Sequence, residues 1–246
     1  MSESSKLRRA AGRRPAPPPD IGRLPPGDPD NLERQVYALL QRSLMTGAVQ
    51  MDAVLSTRTI ANRLGISPMP VRSALKRLEA ENILIAHARS GYRVAPIEAE
   101  EYLEILQIRA RLEGMAATLA ARRITPEQLD RLRRWNRTLA KERLSPRRFL
   151  GCNHGFHFEM YRAARSPILY HNISAYWLRI GPVLYASLTE YDQHKVVRTH
   201  DALISALAAG DPQKAEETLR ADLFSASGAV IDMLTGSASS NSAISY

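Results

Sequence analysis

Residues 56–94 constrain the fold of this 246-residue chain more than any other stretch. Ser56 caps a short helical pattern, Thr57–Leu64, which stops at Gly65, and a tight turn through Ile66-Ser67 follows. A second helix then starts at Pro68. Ser67 has the hydroxyl expected of an N-cap, able to accept from an N–H of the first turn. Pro68 falls at the first helical position and Pro70 is still within the first turn, so neither breaks an internal hydrogen bond. Val71, Ala74, Leu75 and Leu78 form one apolar stripe at i, i+3, i+4 and i+7, while Arg72, Ser73, Lys76 and Arg77 lie off it. Next come an apolar run, Ile83-Leu84-Ile85, a basic turn, Arg89-Ser90-Gly91, and Tyr92-Arg93-Val94. The order predicts a winged helix-turn-helix, its two short strands lying within residues 83–94.

A helix that presents its N-terminal residues to the DNA major groove needs this arrangement. Ser67, Met69, Arg72 and Ser73 stand at the helix start and are expected to face base edges or nearby phosphates, with Lys76 one turn on. Ser90, Gly91 and Arg93 belong to the wing, where Gly91 lets the backbone approach a phosphate closely. The bland alternative is a solvated basic surface helix. Charge placement favours the first reading. Residues 31–97 hold nine Lys/Arg against four Asp/Glu, whereas residues 98–246 hold nineteen against seventeen. Phosphate attraction explains an excess concentrated in a quarter of the chain; solubility does not.

Residues 1–30 contain RRPAPPPD and RLPPGDPD and almost no large apolar side chain, which predicts a disordered tail. Its Arg8, Arg9, Arg13 and Arg14 either add sequence-independent DNA affinity or are simply solvated. Leu32–Thr46 reads as a helix, with Val36, Leu39, Leu40 and Leu44 at helical spacing and Gly47 as its stop. Pro96 marks a domain boundary. Helices follow at about 99–122, 126–143, 146–164, 167–189, 194–209 and 212–234. Thr125-Pro126, Ser145-Pro146, Ser166-Pro167 and Asp211-Pro212 each read as an N-cap followed by a first-turn proline. The expected fold is therefore mainly α: a winged domain over 31–97, then an all-α bundle of six or seven helices over 98–234, with a second disordered tail over 235–246. No apolar run approaches a membrane span, the N-terminus lacks a signal peptide's apolar region, and the single cysteine, Cys152, suits a reducing cytoplasm. Cys152 itself reads as inert packing.

The strings LSTRTIANRLGISPMPVRSALKRLEAENIL and SGYRV resemble the N-terminal domain of the GntR family of bacterial transcription regulators. The remainder resembles the FCD effector domain of that family's FadR-like branch, through IRARLEGMAATLAA at 108–121, NHGFH at 153–157 and THDALISALAAGDPQKAEETLRADL at 199–223. The resemblance implies that Arg58 lies near the DNA backbone. It also implies a divalent metal held inside the bundle by four side chains, usually one Asp and three His. Here those positions are Asn153, His157, His200 and Asp222. Asn153 and His157 are four apart and share a helix face, but the donor set is harder than the family's. Weaker Zn²⁺ binding is expected, with Ni²⁺, Mn²⁺ or no metal in its place. His154 is a rival ligand three residues before His157. His87, His171 and His194 have no partner at ligand spacing.

Arg109 matches an arginine that the family places within reach of the effector cavity, where a guanidinium can pair with a carboxylate in a fork geometry. The alternative is an ordinary ion pair, with Glu113 at i,i+4 or with charges on the Glu104 side. Tyr161, Tyr176, Trp177 and Tyr185 either line a pocket or fill the core. Two departures bear on the operator: many relatives have arginine at Pro68 and glutamate at Ser73.

The resemblance thus implies a cytoplasmic homodimeric regulator, not an enzyme, and a repressor by the commoner sign among relatives. It would bind a palindromic double-stranded operator and answer to a small acidic metabolite. The other classes weighed are a metal-dependent enzyme and an effector-independent architectural DNA-binding protein. Convergence of Asn153, His157, His200 and Asp222 on one cavity would count against the latter.

Overall fold

The computed structural model describes residues 19–25, 31–87, 91–141, 143–188 and 192–236. In chain order the elements are α1 (Leu32–Met45), β1 (Val54–Leu55), α2 (Thr57–Leu64), α3 (Pro68–Ala80), β2 (Leu84–His87), β3 (Gly91–Val94), α4 (Ala99–Arg123), α5 (Pro126–Leu139), α6 (Pro146–Ala163), α7 (Pro167–Ser187), α8 (Gln193–Ala208) and α9 (Pro212–Thr235). The first six make a winged helix-turn-helix and the last six an all-α bundle, as the sequence predicts. The proline-started helices have their caps where expected. Thr125 and Gln128 form a reciprocal capping box on α5, and Ser145 and Asp211 accept from Arg148 N and Lys214 N. Ser166, by contrast, makes no side-chain cap bond. Helix α5 also stops at Leu139, four residues short of the expected end.

In the wing, β3 is central in a three-stranded antiparallel sheet of order β1-β3-β2, with Leu55 opposite Tyr92 and Ala86 opposite Tyr92 on the other side. Strand β1 is two residues long, too short for any alternation to announce it. Its closeness explains Gly91. That residue has φ of +114°, and a Cβ there would lie 2.4 Å from the Leu55 carbonyl oxygen. The glycine expected to admit a phosphate is therefore required by strand packing.

Ser67 is the N-cap of α3 in extended geometry, yet its side chain makes no cap hydrogen bond, contrary to expectation. Cap side chains accept from the second or third N–H of the helix. The third residue here is Pro70, which has none.

One apolar cluster runs without interruption from the winged domain, through Leu40, Leu44 and Leu75, into the bundle at Phe156 and Trp177. At the seam, α1 lies on α7 with nothing between the two backbones. A Cβ on Gly181 would meet Leu44 O at 2.5 Å, and one on Gly47 would meet the Tyr185 ring at 2.2 Å. Arg179 pins the linker to the same helix, donating to Ala95 O at 2.8 Å, Pro96 O at 2.6 Å and both oxygens of Glu101.

Part of the tail expected to be disordered is built into this body. Ile21 is 3% exposed, and its carbonyl accepts from Ser43 Oγ. Asp20 accepts from Arg63 of α2 and from Arg147 of α6 (2.9 Å for the latter). Residues 1–18, 26–30 and 237–246, within the two expected tails, lie outside the described residues.

Gly91→Ala should destabilise the winged domain by about 2–4 kcal/mol, combining left-handed strain with overpacking against β1. Thermal or urea unfolding of the variant measures it; a change within error of zero would show that β1 yields freely.

Candidate functional site

The first candidate surface is the exposed side of the winged domain. Turn 65–67 delivers the chain to α3 with its apolar stripe (Val71, Ala74, Leu75, Leu78) buried, which turns the start of the helix outward. Ser67, Arg72 and Lys76 are exposed, Ser73 is half-buried, and Met69 is 75% exposed. An apolar side chain so displayed suits contact with a thymine methyl group. Arg58, in the first turn of α2, is exposed, as is Arg93 on β3; Gly91 is half-buried and Ser90 lies outside the described residues. Arg77 does not join this face. Its Nε donates to Glu81 at 3.0 Å, and its guanidinium lies 3.8 Å above the Tyr37 ring.

The second candidate site is a cavity of about 80 Å³ inside the bundle, with Tyr102, Arg109, Asn153, His157, Trp177 and Asp222 among its walls. Helix α6 supplies Asn153 and His157, α8 supplies His200, and α9 supplies Asp222. His157, His200 and Asp222 each bring one ligand atom within 4.8 Å of the other two. His157 Nε2 lies 3.3 Å from Asp222 Oδ2, and His157 packs edge-to-face on His200 with ring centroids 5.2 Å apart. His200 is fully buried and stacks flat on Phe156 at 3.7 Å. Asn153 shares the cavity with His157 and Asp222, and His200 joins those two in the ligand cluster.

The protonation states suit metal ligation. Burial pushes His200 down to about 3, against an opposing pull from Asp222, so its imidazole is neutral near pH 7. Burial alone would push the Asp222 carboxyl up. A hydrogen bond from His157, with the Arg109 guanidinium nearby, carries it below the usual carboxylate range instead. Both ring nitrogens of His200 and Nδ1 of His157 are buried without a hydrogen-bond partner. An unpartnered buried nitrogen is costly, and a neutral imidazole beside a carboxylate is the form that binds a divalent ion. The residues present therefore fit such an ion, with Asn153 at hand as a further oxygen donor.

His154 is not in the cluster. Its ring stacks on Phe158 at 4.0 Å, and burial, with Arg42 and Arg162 nearby, lowers it to about 3. Cys152 is buried, and burial raises its thiol, which agrees with an inert role.

Arg109 lines the cavity and also makes the ion pair with Glu113 weighed as the alternative. Its Nε donates to Glu113 Oε1 at 2.7 Å, with both side chains almost wholly buried. Glu113 also accepts from the Tyr161 hydroxyl and from Trp177 Nε1 at 3.2 Å. The Arg109 guanidinium lies 5.0 Å from the Trp177 ring centroid. Tyr161 and Trp177 thus hold the network that orients Arg109. Tyr185 rests on Gly47 at the seam, and Tyr176 packs in a separate small cluster. The spacing of Arg109 and Glu113 shows the ion pair; nothing local in sequence shows Tyr102, or that residues 48 and 64 positions away complete it.

Glu113→Ala should destabilise the protein by about 3–5 kcal/mol, because it leaves a buried guanidinium unpaired. Denaturant unfolding of the variant checks this, and a loss below about 1 kcal/mol would mean that Arg109 finds solvent or another partner.

Residues 104–224 match the FCD domain, and residues 32–94 match the bacterial regulatory proteins of the gntR family. The HTH-type transcriptional regulator McbR of Escherichia coli (strain K12) is 31% identical over 188 residues, covering 74% of this chain and 85% of McbR. A probable D-xylose utilization operon transcriptional repressor of Paenarthrobacter nicotinovorans is 27% identical over 187 residues, covering 75% of this chain and 82% of its own. The solved structure of E. coli McbR aligns with a TM-score of 0.77 at 28% identity, covering 82% of this chain and 98% of that one. With a winged head of this geometry joined to a six-helix body, the chain belongs to the GntR family of transcription regulators, in the branch that carries an FCD domain.

Proposed function

We propose that two copies of the chain, through winged domains spanning 31–97, bind a palindromic operator and repress transcription until a small carboxylate-type metabolite enters the 98–234 bundle. The observation that carries this reading is the cavity itself. Arg109, oriented by Glu113, shares it with the His157–Asp222 pair, and one of its walls, α7, also packs on α1 of the winged head. A purely architectural DNA-binding protein needs no such convergence of polar groups in its body. Half-sites about one helical turn apart or closer follow from two heads related by a two-fold axis. Leu103 and Met115 on α4 and Phe224 on α9, 37%, 56% and 43% exposed on two helices packed side by side, supply apolar surface for the second copy. No helix among the described residues is long and apolar enough to cross a membrane, and the proposed site of action is the cytoplasm.

His157, His200, Asp222 and Asn153 are the residues that would hold a divalent cation, with Zn²⁺, Ni²⁺ and Mn²⁺ as candidates. A bound cation would supply open coordination positions for a carboxylate. Arg109 would take the far side of the same anion by charge-assisted hydrogen bonds. Effector binding would then change the relative placement of the two heads and hence operator affinity. Ser67, Met69, Arg72, Ser73 and Lys76 would read the operator, with Arg58, Arg93, Ser90 and Gly91 at the backbone.

Arg72→Ala should weaken operator binding by about 1–3 kcal/mol. Electrophoretic shift reads this directly, and unchanged affinity would remove Arg72 from the interface. Protein purified without chelator or affinity metal should carry one divalent ion per chain by elemental analysis and native mass spectrometry, with the ion lost in His200→Ala. A metal-free wild-type dimer would place effector recognition on Arg109 alone.

A further inference from the structure

The bundle is nearly neutral overall, yet its charge is not evenly spread. Between Arg131 and Arg148 stand eight Lys/Arg against the single acidic residue Glu142. Two of the eight are committed to carboxylates of the body itself: Arg131 to Glu159 at 2.7 Å and Arg133 to Asp130 at 2.8 Å. The others gather where α5 ends and α6 begins. Arg137, Lys141, Arg143 and Arg148 are all exposed there. Lys195 and Arg198, also exposed, stand on the first turns of α8 beside them.

This corner is firmly built. Buried Gln193, at the start of α8, donates to Leu139 O at 2.5 Å and Lys141 O at 3.1 Å and accepts from Leu144 N at 3.1 Å. One glutamine thus fixes the α5–α6 connection to α8. The described carboxylates at this corner are already engaged. Asp192 caps α8 through Lys195 N at 2.9 Å, and Asp20 is shared between two arginines. Each is held below the usual carboxylate range, Asp192 chiefly by the Lys195 N–H and Asp20 chiefly by Arg147.

Asp20 also fixes where the corner lies. It joins Arg147, in the first turn of α6, to Arg63, two residues before the helix-turn-helix turn at Gly65. The basic corner of the body is therefore continuous with the edge of the head from which α3 projects. Exposed cations beside a DNA-binding head, with no ion pair within 4 Å among the described residues, are complementary to the phosphates of the duplex that extends past the half-site.

We propose that the α5–α6 corner of the helical body (Arg137, Lys141, Arg143, Arg148, Lys195 and Arg198) is a second DNA-binding surface, which takes the phosphate backbone of duplex flanking the operator. The contact is sequence-independent and rests on the reading of α3 as the element that binds the operator. It adds affinity and salt dependence without adding base specificity.

The test uses the full chain and an operator recovered by selection from a random duplex library, prepared as a 20-bp duplex and as a 50-bp duplex with arbitrary flanks. Fluorescence anisotropy is read at several salt concentrations. The wild type should bind the longer duplex about ten-fold more tightly at low salt, with a steeper salt dependence, by ~0.9 in log–log slope per added phosphate contact. The surface variant Arg137→Ser/Lys141→Ser/Arg143→Ser/Arg148→Ser should lose most of that gain and keep the 20-bp affinity. Retention of the full gain by this variant overturns the proposal, as does its loss only when Arg8, Arg9, Arg13 and Arg14 are replaced by serine. Wild-type binding to both duplexes with equal affinity overturns it as well. Binding to neither overturns the operator reading and this surface together.

Discussion

The buried carboxylate of Glu113 is the interaction on which the body of this regulator depends. It draws donors from three helices to one point: Arg109 on its own α4, Tyr161 on α6 and Trp177 on α7. Removing a carboxylate and a guanidinium from water costs several kcal/mol per ion, and that cost is offset only when geometry is good and the remaining lone pairs are used. Glu113 meets both conditions. The return is less in stability than in register, because the packing of three long helices is set by the one arrangement that satisfies it.

Helix α7 converts that register into a relation between body and head. Trp177 faces the network and the cavity. Two residues later Arg179 holds the linker, and at Gly181 the helix lies directly on α1. Pro182, inside the helix, follows at once. A close-packed interior transmits displacement rather than absorbing it, and here no flexible side chain intervenes. A ligand that repositions Trp177 therefore acts on the element that carries the head.

Much of this was legible in sequence wherever the signal was local. Four residue–proline pairs located helix starts in the body, and the i, i+3, i+4 stripe on α3 showed which face of that helix is buried. The metal-type positions were legible only through family resemblance, since His200 and Asp222 lie on different helices from His157 and no spacing links them. Features created by distant partners left no trace. Strand β1 is too short to alternate, and Gly91 carries its meaning only beside Leu55. Ile21, in a segment composed like a disordered tail, finds a place in the core through α1. The charge sum over 98–246 hid the basic corner, because averaging over a whole domain erases a cluster within eighteen residues.

Pro68 and Pro70 have a consequence beyond the missing cap on Ser67. The amides that a helix normally offers at its N-terminus are its means of gripping an anion, and here two of the first three are absent. Helix α3 has little backbone with which to anchor itself on a phosphate. In the proposed reading its hold on DNA falls to side chains, which single substitutions can exchange. Such a head can change its preferred operator without any change of fold.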